Sequence, residues 1–458
     1  MLSRTPLLLH TADLAAKYLE TIADRHVGAT TSADALRAQL GGPLSPTGDP
    51  DTDIVDALAR AAAHGTVATQ GPRYFGFVVG GSVPAATAAD WLVSAWDQNV
   101  GVHVLSPLVA VVEDIAAGWL KELAGLPADW STGFVTGCQG ANFTALAAAR
   151  HHLLEQAGWD VGAHGLFGAP AIDVVVSDES HYTIFNALRL LGLGASRVRR
   201  VPTDEQGRMR ADALRDVLAS GQGPCIICAQ AGNVNTGACD PIADIVEAAR
   251  ARGAWVHVDG AFGLWAAASP SRSHLLRGID RVDSVATDAH KWLNVPYDCG
   301  VVFTAHPDSH RAAMVIGAAY IVETKAERDP RDFVPEESRR GRAVPVYAAL
   351  RSMGRQGVAE MVDRCCQLAT RLANRLSADP SLTILNDVVL NQVLVRVTTG
   401  PDPDAATRAM IERLQADGTC WASGTTWHGV AALRVAVSNW STTEADIDAT
   451  AGAIIRCS

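Results

Sequence analysis

The sequence predicts an α/β protein built on a mostly parallel β-sheet. From residue 134 onward, short runs of Val, Ile, Phe and Cys alternate with helical patterns. Neighbouring parallel strands must be joined by a crossover, so this alternation predicts helices on both faces of the sheet. Ligands of such sheets bind beyond the carboxyl ends of the strands. The predicted strands are 134–136, 172–176, 198–201, 225–229, two runs ending at 259 and 287, and 301–303.

The helices of this region follow from apolar residues at helical spacing. A serine N-cap with proline in the first turn predicts a helix start at Ser106-Pro107. Apolar residues from Val109 to Trp119, with Val112, Ile115 and Ala116 between them, predict one buried face of that helix. Further helices are predicted at 141–154, 181–191, 211–219 and 242–251.

Three domains are predicted. Residues 1–65 form an N-terminal helical arm with a Gly/Pro/Ser-rich break at 41–51, and residues 66–342 form the large domain that carries the sheet. Residues 343–458 begin with a long helical stretch, predicted to be two helices, and continue into a small α+β domain. Its predicted strands are 383–385, 393–397 and 433–437, and its helices are 405–414 and 444–455.

Composition narrows the function classes. The 458 residues carry 38 Lys and Arg against 49 Asp and Glu, a net charge of −11, which argues against nucleic acid or an anionic membrane as the main partner. No apolar run approaches a membrane span, and Leu7–Leu9 is too short for a signal-peptide core. Nine scattered cysteines predict a reducing, cytoplasmic location. Cys225 and Cys228 are interpreted as buried strand residues, and no metal site is predicted.

Two polar residues follow buried strands and point to one chemistry. Lys291 comes just after the strand 284–287, beside Trp292 and Leu293. Desolvation there should disfavour the ammonium form and leave an amine available for a Schiff base with an aldehyde. Asp259 ends the strand that begins at Trp255, where a carboxylate can pair with a protonated pyridine nitrogen. Together the two residues predict a pyridoxal phosphate (PLP) site.

The run Asp288-Ala-His-Lys-Trp292, with His257-Val-Asp-Gly-Ala261, resembles the PLP-dependent group II amino-acid decarboxylases. This family includes the aromatic-L-amino-acid, histidine and glutamate decarboxylases, and the resemblance extends from about Pro72 to about Ile447. It implies the fold-type I architecture with a seven-stranded type of sheet. It also implies decarboxylation of an L-amino acid to an amine and CO₂, with aromatic amino acids as the first candidates. A homodimer is implied, with the helical arm packed against the partner.

The resemblance assigns cofactor contacts around the PLP ring and phosphate. Cys138 and Gln139, in a small-residue turn between strand and helix, are expected to bind the phosphate through backbone amides and the Gln side chain. His181 is expected to stack on the pyridine ring, and Ala261 to lie under the opposite face.

The residues before the lysine are also assigned through the resemblance. His290 is expected to touch the phosphate and to assist proton transfer. Asp288 is included in the cofactor set, although a carboxylate beside a phosphate would be repelled, so a bond to a backbone amide or a hydroxyl is expected. The predicted catalytic residues are therefore Lys291, Asp259, His181 and His290.

One departure from the family pattern leaves the reaction outcome open. Many members carry, in a mobile loop, a tyrosine that protonates Cα, but residues 321–346 contain no tyrosine, and Phe333 near that position cannot donate a proton. In the family this loss accompanies oxygen-dependent aldehyde formation. The alternatives are simple decarboxylation with another acid such as His290, oxidative decarboxylation-deamination, or other PLP chemistry such as transamination or aldol-type reactions. A non-catalytic PLP-binding scaffold is the minor alternative.

Substrate-pocket candidates come from aromatic residues in two regions. Phe75 and Phe77 lie in a glycine-rich stretch whose family counterpart lines the pocket, and His103 and Phe333 are added as further candidates. Arg339, in a basic run, could meet a carboxylate, although such runs are usually solvated.

Overall fold

The computed structural model describes residues 4–315 and 327–458. These residues form two compact units. The larger unit comprises Gly80–Thr370 and Asn386–Val393, and the smaller comprises Met1–Val79, Arg371–Leu385 and Leu394–Ser458. The boundaries of these two compact units differ from the predicted domain boundaries after residues 65 and 342. The division into three domains stays a prediction.

A seven-stranded sheet forms the centre of the larger unit. Its strand order is β1-β7-β6-β5-β4-β2-β3, and β7 alone runs antiparallel to its neighbours. The predicted mostly parallel sheet is therefore confirmed. The strands are β1 (Ser131–Val135), β2 (Asp173–Ser177), β3 (Arg199–Val201), β4 (Cys225–Gln230), β5 (Trp255–Asp259), β6 (Ser284–Asp288) and β7 (Gly300–Thr304).

The helices of the chain, where it is described, agree closely with the predicted ones. The bounds are α1 (Thr5–Glu20), α2 (Ala33–Leu40), α3 (Asp51–Gly65), α4 (Pro84–Trp96), α5 (Pro107–Ala124), α6 (Cys138–Gln156), α7 (Val161–His164), α8 (Tyr182–Leu190), α9 (Ala211–Ala219), α10 (Ile242–Arg250), α11 (Pro307–Met314), α12 (Ala343–Leu376), α13 (Pro403–Asp417) and α14 (Glu444–Cys457). Gly354 has φ 64° inside α12, so this stretch is two helices, as predicted.

Helix α6 sits closest to the centre of the sheet. Every residue of β4, β5, β6 and β7 is buried, and α6 contacts β5, β6 and β7. Its inward positions are small, including Ala141, Ala145 and Ala148, all 0% exposed. Small side chains allow the helix axis to approach the sheet closely, which brings the N-terminus of α6 beside the carboxyl ends of β5 and β6.

A second sheet, of strand order β10-β11-β9-β8, belongs to the smaller unit except for the first two residues of β9. Its strands are β8 (Leu382–Ile384), β9 (Gln392–Val397), β10 (Ser423–Trp427) and β11 (Val430–Ala436). The sequence did not predict β10, because Ser, Gly and Thr dominate it. The arm helices α1 and α2 bury no residue and α3 buries only Ala61, which agrees with an arm that has little core of its own.

Three local expectations were wrong. The Ser106 hydroxyl donates to Gln98 Oε1 instead of capping α5, and Ile115 is exposed while Glu113 is buried on the inner face. Arg339 is not solvated: its Nη1 lies 2.8 Å from Glu113 Oε2, and both side chains are fully buried. A buried carboxylate requires a partner, so the pair explains both observations.

Candidate active site

The carboxyl ends of β5 and β6 lie side by side, because Asp259 pairs in register with Ala286 of the parallel neighbour. Asp259 is the last residue of β5 and Asp288 is the last residue of β6. Lys291 follows Asp288 by three residues, and α6 begins at Cys138 on the same side. The structure thus brings together Asp259, Asp288, Lys291 and the N-terminus of α6.

Asp288 links the lysine to α6. Its Oδ2 lies 2.8 Å from Lys291 Nζ, and its Oδ1 accepts a 2.5 Å hydrogen bond from the backbone amide of Cys138. The expected bond from Asp288 to a backbone amide is therefore present. The amide of Cys138, predicted to bind the phosphate, is the donor.

The expectation that Lys291 carries a free amine is wrong for the protein without cofactor. Burial lowers the pKa of Lys291, but the negative charge and hydrogen bond of Asp288, with a smaller contribution from Asp259, outweigh burial and raise it above its usual value. The ammonium form is consequently favoured at neutral pH. Sequence reasoning considered only the apolar neighbours, whereas the deciding carboxylate stands three residues away.

Asp259 is buried and held by neutral donors. Asn142 Nδ2 donates to its Oδ2 at 3.0 Å, while the Ala261 amide at 3.1 Å and the Cys138 thiol at 3.4 Å donate to its Oδ1. Burial, together with the nearby negative charge of Asp259, raises the pKa of the Cys138 thiol well above its usual value. Cys138 thus remains a thiol, and the backbone amide of the predicted residue Ala261 helps to orient the carboxylate.

Two residues behind Asp259 were missed by sequence reasoning. Asn142, on the first turn of α6, lies with its Oδ1 2.9 Å from His257 Nε2, and both residues are 0% exposed. His257 Nδ1 is in turn 2.9 Å from the hydroxyl oxygen of Ser284. A histidine within the apolar run Trp-Val-His-Val was the available signal, because a buried imidazole requires polar partners.

His181 lies at the start of α8, where the chain leaves β2. Its Nδ1 is 2.8 Å from Thr183 Oγ1, and its ring is 4.4 Å from that of Tyr182, centroid to centroid. Asn142 Nδ2 also reaches Thr183 Oγ1, at 3.4 Å. His181 is therefore connected through Thr183 to the same amide that binds Asp259.

His290 is buried next to Asp288. Its Nδ1 accepts a 3.0 Å hydrogen bond from the Cys299 amide, and its Nε2 is 3.5 Å from Asp288 Oδ1. Burial lowers the pKa of His290, although Asp288 opposes this. The ring stacks on Tyr297, with 4.2 Å between centroids. Tyr297 is 59% exposed, and sequence reasoning missed it because tyrosines in such turns are common.

The remaining cofactor residue, Gln139, is exposed in the first turn of α6. Gly137 precedes that turn, and a Cβ built there would lie 3.3 Å from His290 Cε1 and 3.5 Å from Asp288 Oδ1. A Cβ at Gly300 would come within 2.7 Å of the Gly137 backbone. Glycines at these positions let the turn before α6 approach β7 and His290.

The four predicted pocket residues are divided between the two units. Phe75 is buried and Phe77 exposed in the smaller unit, where Phe77 stacks on Trp421. His103 begins a short 3₁₀ helix, and its amide donates to Asp329. Phe333 packs edge-on against His310. Their pocket roles stay predictions, and residues 321–326 of the tyrosine-free stretch 321–346 lie outside the described residues.

Part of the glycine-rich stretch does approach the lysine. A Cβ on Gly80 would lie 1.9 Å from the carbonyl oxygen of Lys291, and the amide of Val83 donates to the carbonyl of Asn294 at 2.9 Å. Only glycine permits this approach, so residues 80–83 are fixed against the chain that follows Lys291.

Two further observations concern cysteines and membranes. Cys225 and Cys228 are buried in β4, as predicted, and burial raises the pKa of Cys225 to about 11 and that of Cys228 further. Neither thiol is activated for redox chemistry. Over residues 4–315 and 327–458, no helix has the length and apolar character needed to cross a bilayer.

Residues 36–398 match the family model described as the pyridoxal-dependent decarboxylase conserved domain. The chain belongs to this family. The predicted PLP cofactor and the predicted activity, decarboxylation of an amino acid, are thereby confirmed.

This decarboxylase is 28% identical over 368 residues to the aromatic-L-amino-acid decarboxylase of Bacillus atrophaeus, covering 79% of this chain and 74% of the relative. It is 25% identical over 452 residues to the 4-hydroxyphenylacetaldehyde synthase of Rhodiola rosea, covering 95% and 91%. The crystal structure of Oryza sativa TDC with PLP and tryptamine matches with a TM-score of 0.92 at 24% identity, covering 99% of this chain and 97% of that chain. This likeness confirms the predicted fold.

A lysine-reactivity measurement tests the control of Lys291 by Asp288. In the cofactor-free Asp288→Asn variant, burial acts without the opposing carboxylate, so the pKa of Lys291 falls and more neutral amine is present at pH 8. We expect labelling of Lys291 by trinitrobenzenesulfonate to accelerate at least about tenfold, the effect of one pKa unit. Peptide mass spectrometry measures the rate, with exposed Lys17 as internal control. An unchanged or slower rate at Lys291 would contradict the assignment.

Proposed function

We propose that Lys291, Asp259, His181 and His290 perform the reaction of this decarboxylase on an aromatic L-amino acid. One observation carries the proposal. A lysine and a carboxylate stand at the ends of adjacent parallel strands, beside the N-terminus of a helix, and a PLP molecule requires these three features. Cys138, Gln139, Ala261 and Asp288 complete the proposed cofactor set.

The donor chemistry of the site fits PLP. The first amides of α6 are suited to a phosphate group, and Gly137 leaves space beside His290 and Asp288. The direct hydrogen-bond donors of Asp259 described above are neutral, so this carboxylate can still accept a cationic N–H. Two anions repel each other, so Asp288 would contribute by holding Lys291 and the Cys138 amide in place and not by binding the phosphate itself.

When bound, PLP supplies a ring that accepts the electron pair left as the bond from Cα to the carboxylate breaks. Asp259 holds a proton at the ring nitrogen, which strengthens that acceptance. Lys291, held by Asp288, would anchor the cofactor through its side-chain amine. His181 would cover one face of the ring, and Ala261 would lie under the opposite face.

The Asp259→Ala and Lys291→Ala variants test these roles. Loss of Asp259 should reduce turnover about 10²–10⁴-fold, the range for removal of a positioned proton-holding group, with the fold retained. Loss of Lys291 should remove the visible absorbance of covalently attached PLP. Lys121→Ala serves as matched control, since Lys121 binds only the backbone carbonyls of Ala128 and Trp130 in the bonds described. A well-folded, active Asp259→Ala variant would refute the role of Asp259.

Aldehyde formation is the second candidate outcome. The stretch 321–346 contains no tyrosine, and one relative that spans nearly the whole chain is a 4-hydroxyphenylacetaldehyde synthase. Burial lowers the pKa of His290, which makes it mainly neutral at pH 7 and a poor proton donor. In this reaction O₂ and water would be consumed, and CO₂, aldehyde, ammonia and hydrogen peroxide would be released in place of an amine.

An amino-acid panel with all products quantified separates these possibilities. We expect kcat/KM to be highest for tryptophan, tyrosine or phenylalanine, with glutamate and 2,4-diaminobutyrate as comparison substrates. CO₂, amine, aldehyde and peroxide are measured from one incubation. Amine equal to CO₂ supports simple decarboxylation, whereas equal aldehyde and peroxide supports the oxidative reaction. Preference for glutamate or diaminobutyrate would contradict the proposed substrate class.

We also infer that the decarboxylase is a cytoplasmic homodimer. Its nine cysteines are all free, as expected in a reducing compartment. Large apolar side chains are exposed together on the outer side of α4, α5 and the turn between them, although the inner residues Val93 and Val109 are packed. Exposed large apolar side chains on neighbouring elements are typical of a surface that a partner covers, and a second copy would cover these. These exposed residues are Trp91, Leu92, Trp96, Val104, Leu105, Leu108, Val111 and Ile115.

The Leu108→Glu/Val111→Glu double variant tests this surface. Light scattering should give twice the mass of one chain for the wild type and a single-chain mass for the variant, because charged residues oppose burial of the face. Phe167→Glu is the matched control, since Phe167 is 98% exposed elsewhere. A single-chain mass for the wild type would contradict the dimer.

A further inference from the structure

A chain of buried hydrogen bonds ends at Asp259. Trp255 Nε1 donates to Ser284 Oγ at 2.9 Å, and Ser284 Oγ is 2.9 Å from His257 Nδ1. His257 Nε2 is 2.9 Å from Asn142 Oδ1, and Asn142 Nδ2 donates to Asp259 Oδ2 at 3.0 Å. These five side chains are each at most 3% exposed. We call them the buried hydrogen-bond chain.

The two ends of this chain fix its direction. An indole N–H can only donate, and an ionised carboxylate can only accept. Asn142 must therefore turn its NH₂ toward Asp259 and its oxygen toward His257. His257 then carries its proton on Nε2, and its Nδ1 accepts from the Ser284 hydroxyl. Every donor in the chain points toward Asp259.

His257 remains neutral in this arrangement. Burial lowers its pKa to about 4, against a smaller opposing influence of Asp259. The hydrogen-bond partners of the imidazole are the uncharged Ser284 and Asn142. A neutral imidazole with one proton can serve as donor on one side and acceptor on the other, which the direction of the chain requires.

We propose that Asn142 and His257 are positioning residues that keep the proton shared between Asp259 and the PLP ring nitrogen on the ring. This inference rests on the proposed role of Asp259 and extends it to residues that touch neither cofactor nor substrate. A hydrogen bond to the charged form of a carboxylate stabilises that form. Loss of the Asn142 donor, or of the His257 bond that orients it, moves the proton to Asp259 and leaves the ring neutral.

The connection to His181 extends the same control to a second ring contact. Asn142 Nδ2 lies 3.4 Å from Thr183 Oγ1, which is 2.8 Å from Nδ1 of His181. One amide group thus orients the residue proposed to bind the ring nitrogen and the residue proposed to stack on the ring.

The test uses the PLP-bound protein with ¹⁵N-labelled pyridine nitrogen. Nitrogen NMR distinguishes a protonated from an unprotonated ring in the wild type, Asn142→Leu, His257→Phe and His257→Gln. We expect a protonated ring in the wild type and in His257→Gln, because a glutamine can donate to Asn142 and accept from Ser284. Asn142→Leu and His257→Phe should show an unprotonated ring. Their kcat should fall about 10–100-fold with KM little changed, the range for loss of an outer hydrogen-bond partner.

His310→Phe is the matched control for loss of a buried histidine. His310 Nδ1 is 2.9 Å from Ser131 Oγ and its Nε2 is 2.9 Å from the Phe333 carbonyl oxygen, and burial lowers its pKa to about 3. His310 resembles His257 because its imidazole is buried and has a partner at each ring nitrogen. Its partners, Ser131 and Phe333, are not members of the buried hydrogen-bond chain. We expect this variant to keep the protonated ring, and an unprotonated ring here would overturn the specific role of His257.

Two comparisons separate the failure of this inference from that of the proposed function. A ring that stays protonated in Asn142→Leu and His257→Phe but not in Asp259→Asn overturns the positioning role alone. A ring that stays protonated in Asp259→Asn overturns the proposed function as well.

If the variants do not fold, ¹⁵N-histidine NMR of the cofactor-free wild type provides the test. The resonances of His257 are assigned from His257→Gln if that variant folds, and otherwise by a through-bond experiment. Neutral His257 protonated at Nε2 supports the inference, and any other form overturns it.

Discussion

Two buried carboxylates, Asp259 and Asp288, must be supplied with hydrogen-bond donors at one edge of the sheet, and the rest of the site is arranged around that requirement. Removing a carboxylate from water is costly unless its oxygens are bonded. Asp288 is matched by the ammonium of Lys291 and the Cys138 amide. Asp259 is matched by a side-chain amide, a backbone amide and a thiol.

The difference between these two environments gives the two carboxylates different chemistry. Asp288 is paired with the cation of Lys291, whose pKa it raises. Asp259 has neutral donors, which stabilise its negative charge without cancelling it. In the proposed function, Asp259 pairs with a cationic ring nitrogen in addition to these neutral donors. The different roles proposed for Asp259 and Asp288 follow from these different environments.

The fold makes this contrast possible. Parallel pairing puts the ends of β5 and β6 next to each other, and the small residues of α6 let its N-terminus reach both. Asn142 lies on the first turn of α6, and His257 lies inside β5, so the bond between them also ties helix to sheet. The same contacts that pack the core thereby orient Asp259.

The sequence by itself determined the α/β class and most element positions, and it predicted that Lys291 and Asp259 form a PLP site. Periodicity and strand-end residues are local signals, and they are readable without a structure. Only the tertiary structure decided that Asp288 pairs with Lys291 and that Asn142 and His257 form the hydrogen bonds behind Asp259. Those facts depend on which side chains meet after folding: Asn142 and Asp259 are 117 residues apart, and no local pattern links them.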